Sequence, residues 1–298
     1  MSLDEPRVEG LRAEVLGWWP EVRAERDRLP WRGTRDPWAV LVSESMLAQT
    51  QVARVATRFE AVIDRFPTPL ALAESELGEI LRCWSGLGYN RRAAALHRAA
   101  REIVERFEGV VPDQLQDLLG LPGLGPYTAR AVLAYAFDRS VGPVDANVAR
   151  VLSRAIAGTP LSAISLQATA DTLAAGHPGR DWNLALVDLG SLICRARTPR
   201  CAECPLRRTC AWRGSGGISE DPARRAALTS RPQARFIGSD RQGRGRLMRA
   251  ACEGPIALSH IAEVAGWADD RERAERVAAA LVIEGLLARD VDGTLRLG

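Results

Sequence analysis

Hydrophobic residues recur every three or four positions along most of the 298-residue chain, which is the spacing of amphipathic helices. This pattern predicts helices at residues 8–29, 37–66, 69–83, 91–107, 113–119, 126–137, 147–156, 166–173 and 182–193. The alternation of apolar and polar residues that is typical of strands does not occur before residue 286. The sequence therefore predicts an all-α fold for this part of the chain.

The C-terminal part of the sequence has a different organisation. A stretch rich in glycine, serine and proline at 214–239 predicts a linker. Helical patterns follow at 245–252, 258–265 and 270–284, and two short apolar segments at 286–290 and 294–297 flank Asp292 and Gly293. Three helices followed by a β-hairpin predict a small winged-helix-like module at 240–298.

Composition and charge add limits on the class of protein. The length predicts about two domains, and no apolar run approaches the ~20 residues of a membrane span. The first ten residues lack a signal-peptide core, so we expect a cytoplasmic, nucleoid-associated protein without membrane contact. Net charge is only +3, but residues 195–235 contain ten arginines against three acidic residues. That excess fits a polyanion such as DNA, or else a solvated basic loop.

All basic side chains other than histidine are arginine, because the chain contains no lysine. A lysine amine is the group that forms a Schiff base with an aldehyde or a sugar. Lysine-based lyase chemistry is therefore excluded.

Four cysteines lie within seventeen positions that contain no histidine, namely Cys194, Cys201, Cys204 and Cys210. Thiolates this close in sequence can converge on one metal ion or cluster. One C-x-x-C pair flanked by two single cysteines favours a [4Fe-4S] cluster over zinc, since zinc ribbons usually show two separate pairs. Disulfides are the remaining alternative, and nothing else in the sequence is typical of a secreted protein.

Glu44 lies on the apolar face of the helix predicted from residue 37. Val40 and Leu41 precede it by one turn, and Leu47 and Ala48 follow by one turn. Burial should raise the pKa of this carboxyl group and make it a proton donor near neutral pH. An ion pair with a buried arginine is the alternative.

A second group of motifs follows between residues 121 and 152. Gly123 and Gly125, spaced by one residue between two helices, predict a helix-hairpin-helix whose backbone N–H groups hold a DNA phosphate. Twenty residues later, Asp145 precedes a helical segment, where it is expected to be the N-cap. We expect the cap to fix this carboxylate and to keep it ionised.

In this order, the motifs resemble the endonuclease III superfamily, and within it the MutY-type adenine DNA glycosylases. The resemblance rests on residues 43–51, 86–89, 121–129 and 144–147 and the four cysteines, and covers residues 8 to about 215. Endonuclease III carries a nucleophilic lysine just after the hairpin glycines, where this chain has Tyr127, and it lacks the counterpart of Glu44. Both differences favour the MutY type.

The resemblance implies a helix-hairpin-helix glycosylase fold with a defined division of the chain. A six-helix barrel would span residues 30–140, and an iron–sulfur lobe at 141–213 would pack against the N-terminal helix at 1–29. MutY proteins typically end in a Nudix-like domain that reads 8-oxoguanine. Residues 240–298 have a different pattern, so the resemblance implies a variant without that domain.

The resemblance also implies roles for individual residues. Glu44 would protonate N7 of a flipped adenine, and Asp145 would stabilise the oxocarbenium-like sugar after the base departs. Other residues would line the catalytic pocket (Tyr127, Asn147), cradle the adenine (Trp31, Arg32, Asp188), or wedge into DNA and contact the opposite strand (Gln49, Thr50, Tyr89). Ordinary packing or surface polarity is the alternative for each of them.

Two positions depart from the family pattern, Ala48 before Gln49 and Asn90 after Tyr89, and both concern the lesion-side contacts. The implied partner is double-stranded DNA with adenine opposite 8-oxoguanine or guanine, bound by a monomer. Two other functions remain open: a glycosylase for another mismatched or damaged base, and a noncatalytic iron–sulfur protein that binds DNA.

Overall fold

The computed structural model describes residues 5–214, 220–229 and 235–298. In chain order the helices are α1 (Glu5–Trp18), α2 (Pro20–Arg26), α3 (Pro37–Leu47), α4 (Val52–Ala56), α5 (Phe59–Arg65), α6 (Pro69–Ala73), α7 (Leu77–Cys83), α8 (Arg91–Phe107), α9 (Leu115–Gly120), α10 (Pro126–Tyr135), α11 (Ala146–Val151), α12 (Ala163–Ala174), α13 (Gly179–Asp188), α14 (Ala211–Gly214), α15 (Asp240–Glu253), α16 (Ile261–Ala265) and α17 (Arg271–Ile283). The all-α prediction is confirmed, with one small sheet at the C-terminal end.

Two helices continue as π-helical turns, which leave a wider backbone spiral. Leu152–Ala157 extends α11, and Leu189–Ile193 extends α13 as far as Cys194. Short 3-10 helices occur at Pro205–Arg207, Pro222–Arg224 and Leu258–His260. π-helical turns are uncommon and are often found at functional sites. One of these turns follows α11, whose N-cap is Asp145, and the other ends at Cys194, so both indicate a functional site in this region.

The chain forms two compact units. The first comprises Met1–Leu41, Asp113–Gly120 and Leu124–Arg231, and the second comprises Val42–Pro112, Leu121–Gly123 and Pro232–Gly298. In the first unit, α1 packs against α13 and the 3-10 helix at Pro205–Arg207. In the second unit, α8 packs against α6 and α7.

The prediction of single long helices at 8–29, 37–66 and 69–83 is wrong, because each segment is divided. Pro20 begins α2, and its ring and missing N–H interrupt the helix that precedes it. Between α3 and α4 the chain turns at Gln49, whose φ of 59° is left-handed. Apolar periodicity continues through such turns, so it could not reveal a break made by a residue other than glycine or proline.

The C-terminal module has the three helices and hairpin that the sequence predicted. Strands β1 (Leu287–Arg289) and β2 (Leu295–Leu297) are antiparallel, with Leu287 opposite Leu297. Helix α15 and strand β2 pack against α7. Gly78 on α7 permits this approach, since a Cβ there would lie only 3.3 Å from the Cβ of Leu297.

The predicted linker at 214–239 lies partly outside the described residues, which omit 215–219 and 230–234. In the middle part of this segment, Asp221 caps the 3-10 helix at Pro222–Arg224. Its carboxylate also forms an ion pair with Arg154, with 2.5 Å between the guanidinium nitrogen and Oδ2. Among the described helices, none is both long enough and apolar enough to cross a membrane.

Candidate active site and cysteine cavity

Asp145 is the N-cap of α11, as its position in the sequence predicted. Its Oδ1 accepts the backbone N–H groups of Asn147 at 2.9 Å and Val148 at 2.7 Å. Its Oδ2 accepts the side-chain amide of Asn147 at 2.8 Å. Three donors from two residues therefore hold this carboxyl group in one orientation.

Burial raises the pKa of Asp145, although the hydrogen bonds from Val148 and Asn147 and the charge of Arg150 act in the opposite direction. The expectation that capping alone would keep the group ionised thus misses the larger effect. Desolvation destabilises the charged form more than the cap stabilises it. An unusual pKa on a fixed carboxyl group is typical of functional sites.

Arg150, which is 6% exposed, connects the Asp145 segment to the cysteine loop. Its guanidinium donates to Asn147 Oδ1 at 2.8 Å, to the Gly190 carbonyl at 2.6 Å and to the Cys194 carbonyl at 2.5 Å. Asn147 therefore receives a hydrogen bond from Arg150 on one side and donates one to Asp145 on the other. Sequence reasoning missed this residue, since only its distance of three positions from Asn147 places it on the same side of the helix.

Gly190 allows the π-helical turn at Leu189–Ile193 to lie directly against α11. A Cβ at Gly190 would lie 2.7 Å from the Cβ of Asn147 and 2.8 Å from its carbonyl oxygen. No side chain fits at those distances, so the contact requires glycine. This residue was also missed, because nothing in the local sequence marks a close approach to a residue 43 positions away.

The four cysteines predicted to be metal ligands line one cavity in the first unit. Its wall is completed mostly by apolar side chains, among them Leu189, Ile193, Leu206 and Trp212. In the part of the chain that the structure describes, no three or more His, Cys, Asp or Glu side chains converge closely enough to hold a single metal ion. The residues that line this cavity supply four thiol groups, which are the donors that an iron–sulfur cluster takes.

The cavity would disfavour bare thiolates, since burial raises the pKa of Cys204 to about 12. Arg154 lies beside it, and its guanidinium donates to the Cys194 sulfur at 3.6 Å and to the Arg195 carbonyl at 2.7 Å. The same side chain is paired with Asp221, so one arginine connects Cys194 with a residue eleven positions after Cys210.

Glu44 lies on α3 and is 7% exposed, in agreement with its apolar position in the sequence. Ser43 and Met46 beside it are also buried. In the second unit, this carboxyl group is therefore shielded from bulk water. Its role as the proton donor stays a prediction.

Gln49 and Tyr89 both have left-handed backbone conformations, with φ of 59° and 50°. Such conformations cost free energy in residues with side chains and persist only when surrounding contacts impose them. Arg92 supplies these contacts by donating to the Met46 carbonyl at 2.8 Å and to Thr50 Oγ1 at 2.8 Å. Its guanidinium also lies 5.4 Å from the centre of the Tyr89 ring. The structure thus brings the three predicted wedge residues, Gln49, Thr50 and Tyr89, to one place.

Helices α9 and α10 pack against each other, and residues 121–125 connect them as the predicted hairpin. Gly123 has φ of 79°, and a Cβ there would lie 2.5 Å from the Cβ of Ala95, so both conformation and space require glycine. At Gly125 a Cβ would meet nothing within 4 Å. Its bare backbone precedes the N-terminus of α10, where an anion can approach the first N–H groups.

Asp188 is fully buried and already has several partners. It accepts hydrogen bonds from Trp19 Nε1 at 3.1 Å, from Arg26 Nε at 3.0 Å and from both terminal nitrogens of Arg32 at 2.7 and 3.1 Å. Trp31 is also buried, at 7% exposure. These contacts account for the buried charge of Asp188 without a substrate, and the role of the three residues in holding adenine stays a prediction.

The fold and motifs define a class of protein, the helix-hairpin-helix DNA glycosylases. Residues 42–170 match the family described as HhH-GPD superfamily base excision DNA repair protein. A solved structure of a thermostable thymine-DNA glycosylase covers 70% of this chain and 97% of its own, with TM-score 0.63 and 29% identity.

Two mycobacterial relatives are similar along nearly the whole chain. An adenine DNA glycosylase of Mycobacterium tuberculosis (strain ATCC 25618 / H37Rv) is 41% identical over 308 residues, which cover 99% of this chain and 97% of that protein. An adenine DNA glycosylase of Mycolicibacterium smegmatis is 38% identical, with 95% and 94% covered. The chain therefore belongs to the adenine DNA glycosylase family.

Proposed function

We propose that the protein is a monofunctional adenine DNA glycosylase of base excision repair. It hydrolyses the N-glycosidic bond of adenine mispaired with 8-oxoguanine or guanine in double-stranded DNA, and it acts as a monomer. The observation that carries this proposal is the Asp145 carboxyl group, which three hydrogen bonds hold in one orientation at the motif position of the family.

The reaction needs one proton donor and one carboxylate. Glu44 gives its proton to N7 of adenine, which weakens the bond between the base and C1′ of the sugar. As that bond breaks, its electron pair leaves with the adenine, and the Asp145 carboxylate stabilises the positive charge that develops at C1′. The oxygen of a water molecule then bonds to C1′, and the proton that it loses passes to a carboxylate.

Other residues bind or orient the substrate. Asn147 keeps Asp145 in place, and Tyr127, on the first turn of α10, lines the catalytic pocket. Trp31 and Arg32 cradle the adenine, with Asp188 orienting Arg32 through their paired hydrogen bonds. Two further groups contact the DNA itself: the wedge residues (Gln49, Thr50, Tyr89) enter the duplex, and the hairpin glycines (Gly123, Gly125) hold a backbone phosphate.

The four cysteines that line the cavity would hold a [4Fe-4S] cluster, one thiolate on each iron. When bound, the cluster would stabilise the thiolates and fix the loop at residues 194–210. Because Arg150 donates to the Cys194 carbonyl and to Asn147, a fixed loop also keeps Asn147 in place.

The absence of lysine from the sequence determines the product. Without a side-chain amine to attack C1′, the enzyme should release the base and leave an intact abasic strand that is cut only by alkali or heat. Stoichiometric trapping of the enzyme on DNA by borohydride would contradict the monofunctional reaction.

The decisive experiment measures base release from a panel of duplexes containing adenine opposite 8-oxoguanine, adenine opposite guanine, thymine opposite guanine, or an oxidised pyrimidine. We expect excision only from the two adenine mispairs. Faster excision of thymine would assign the protein to the other activity found among its structural relatives. Binding of DNA without release of any base would favour the noncatalytic alternative.

A matched pair of variants tests the acid. Glu44→Gln removes the proton with little change in volume, so base release should be abolished while DNA affinity stays within a few-fold. Glu60→Gln, at an exposed position on α5 of the same unit, should behave as wild type. Wild-type turnover in Glu44→Gln would eliminate the proposed acid.

A further inference from the structure

The second unit contains a cleft of about 970 Å³ between the wedge residues and the C-terminal module. One wall comprises residues 49–54 and the loop at 85–92. Another wall comprises Phe236, residues of α15, Leu281 and Leu286. The module therefore forms part of a concave surface that Gln49, Thr50 and Tyr89 also line.

The charge of this cleft is strongly positive. Six arginines line it (Arg54, Arg91, Arg92, Arg241, Arg244, Arg249), and no aspartate or glutamate is among the described lining residues. Glu284, outside the lining, is paired with both Arg91 and Arg244 at 2.5 Å. It offsets one of the six charges. A concave surface that is lined by arginines and by no carboxylate among the described residues attracts a polyanion.

Some of these arginines already have partners within the protein, and others can bind a ligand. Arg92 is occupied by the carbonyl groups of Ser45, Met46 and Gly88, so it maintains the wall. Arg54 and Arg249 both line the cleft, are exposed, and have no ion-pair partner within the described part of the chain. These two side chains can contact a ligand without giving up an existing ion pair.

The cleft also offers apolar and aromatic surface. Tyr89 is 43% exposed and Phe236 is 55% exposed, on different walls. Buried apolar side chains, including Leu87 and Met248, also line the cleft. Arginines beside exposed rings are the combination that binds single-stranded nucleic acid, since phosphates pair with arginine and unstacked bases stack on aromatic side chains.

We propose that this cleft binds one strand of the substrate DNA, with its phosphates on Arg54, Arg241 and Arg249 and an unstacked base against Phe236. The C-terminal module is then a wall of the DNA-binding site. This inference rests on the proposed function only in identifying the polyanion as DNA.

The test compares two double variants. Arg241→Ala/Arg249→Ala removes charge from the cleft, whereas Arg271→Ala/Arg289→Ala removes two arginines of the same module that do not line it. The probes are an undamaged 30-base-pair duplex and a 30-nucleotide single strand, with Kd measured at several salt concentrations. Thermal melting checks that each variant is folded.

Each lost phosphate contact should reduce the salt slope by about 0.9 on duplex DNA and about 0.7 on a single strand. We expect the cleft variant to lose about two contacts and to bind about tenfold or more weakly, while the control pair binds as wild type. Arg54→Ala, on the other wall, should lose about one contact. Phe236→Ala should weaken binding of the single strand by about tenfold with an unchanged salt slope, because stacking carries no charge.

Unchanged Kd and salt slope in the folded cleft variant would overturn the proposal, and so would an equal loss in the control pair, which would indicate a nonspecific effect of charge. Excision of adenine is followed separately in single turnover at saturating enzyme, where the control pair Arg271→Ala/Arg289→Ala should match wild type. If wild type excises no adenine, the proposed function fails while the binding measurements still decide whether the cleft holds DNA.

Discussion

Substitution of Gly190 by alanine tests whether close packing of the π-helical turn against α11 positions Asp145. The new Cβ would lie 2.7 Å from the Cβ of Asn147, whereas carbon atoms pack at about 3.5–4.0 Å. One of the two segments must therefore move by about 1 Å. Asn147 donates to Asp145, so the carboxyl group should move with it. A displacement of this size can slow a reaction by about 100-fold, which is the effect we expect on the excision rate.

The stability effect should be smaller, because two contributions oppose each other. Overpacking costs about 1–3 kcal/mol, and alanine in a helical segment recovers up to about 1 kcal/mol relative to glycine. A net loss of about 1–2 kcal/mol lowers Tm by several degrees in a unit of this size, about 2–4 °C per kcal/mol. At 25 °C the variant should therefore remain folded.

The assay is single-turnover release of adenine at saturating enzyme, together with thermal melting. Gly10→Ala is the matched control, since a Cβ at Gly10 on α1 would meet nothing within 4 Å. It should leave the excision rate unchanged and should not lower Tm, because alanine stabilises a helix relative to glycine. Leu166→Ala controls for stability, because it removes a fully buried side chain and should cost about 2–5 kcal/mol without slowing excision by folded enzyme. A wild-type excision rate in Gly190→Ala would refute the positioning argument.

Three further predictions follow from the cysteines and from two carboxyl groups. Purified protein should contain about four irons per chain and absorb visible light, and Cys204→Ser should lose iron together with folding or DNA binding; stoichiometric zinc without iron would contradict this. Because burial raises the pKa of Asp145, excision should fall as pH decreases through a value above 3.8, and an acid limb at or below 3.8 in a pH–rate profile would contradict the raised pKa. Arg91 and Arg244 lower the pKa of Glu284 to about 2, so Glu284→Gln should reduce the free energy of unfolding by about 1 kcal/mol at pH 7. In urea titrations, this difference between variant and wild type should shrink as pH falls from 4.5 towards 2. A difference that does not change with pH would contradict a contribution from the two ion pairs.

The sequence by itself determined the features that depend on neighbouring residues. The 3.6-residue period predicted the helical class, and Asp145 before a helix predicted a cap. The spacing of the cysteines placed them in one loop, and the structure arranges all four around one cavity. Each of these patterns involves residues that are close together in the chain, so the sequence alone is enough to predict the local structure.

Only the tertiary structure decided the features that join distant segments. Gly190 is required because Asn147 lies against it, and Arg150 is important because Cys194 and Gly190 are its partners. Neither relation has a signal in the sequence. Close packing depends on which surfaces meet, and that is set by the sum of many weak contacts.

The same limit explains the turn at Gln49 and the arginine-lined cleft. Gln49 adopts a left-handed conformation because Arg92, 43 residues away, holds the turn, and periodicity within the segment predicted an unbroken helix. The cleft joins residues 49–54 with α15, nearly 200 positions later. Charges that nearly cancel along the C-terminal sequence become one-sided there, because folding directs arginines into the cleft and leaves the acidic side chains outside it.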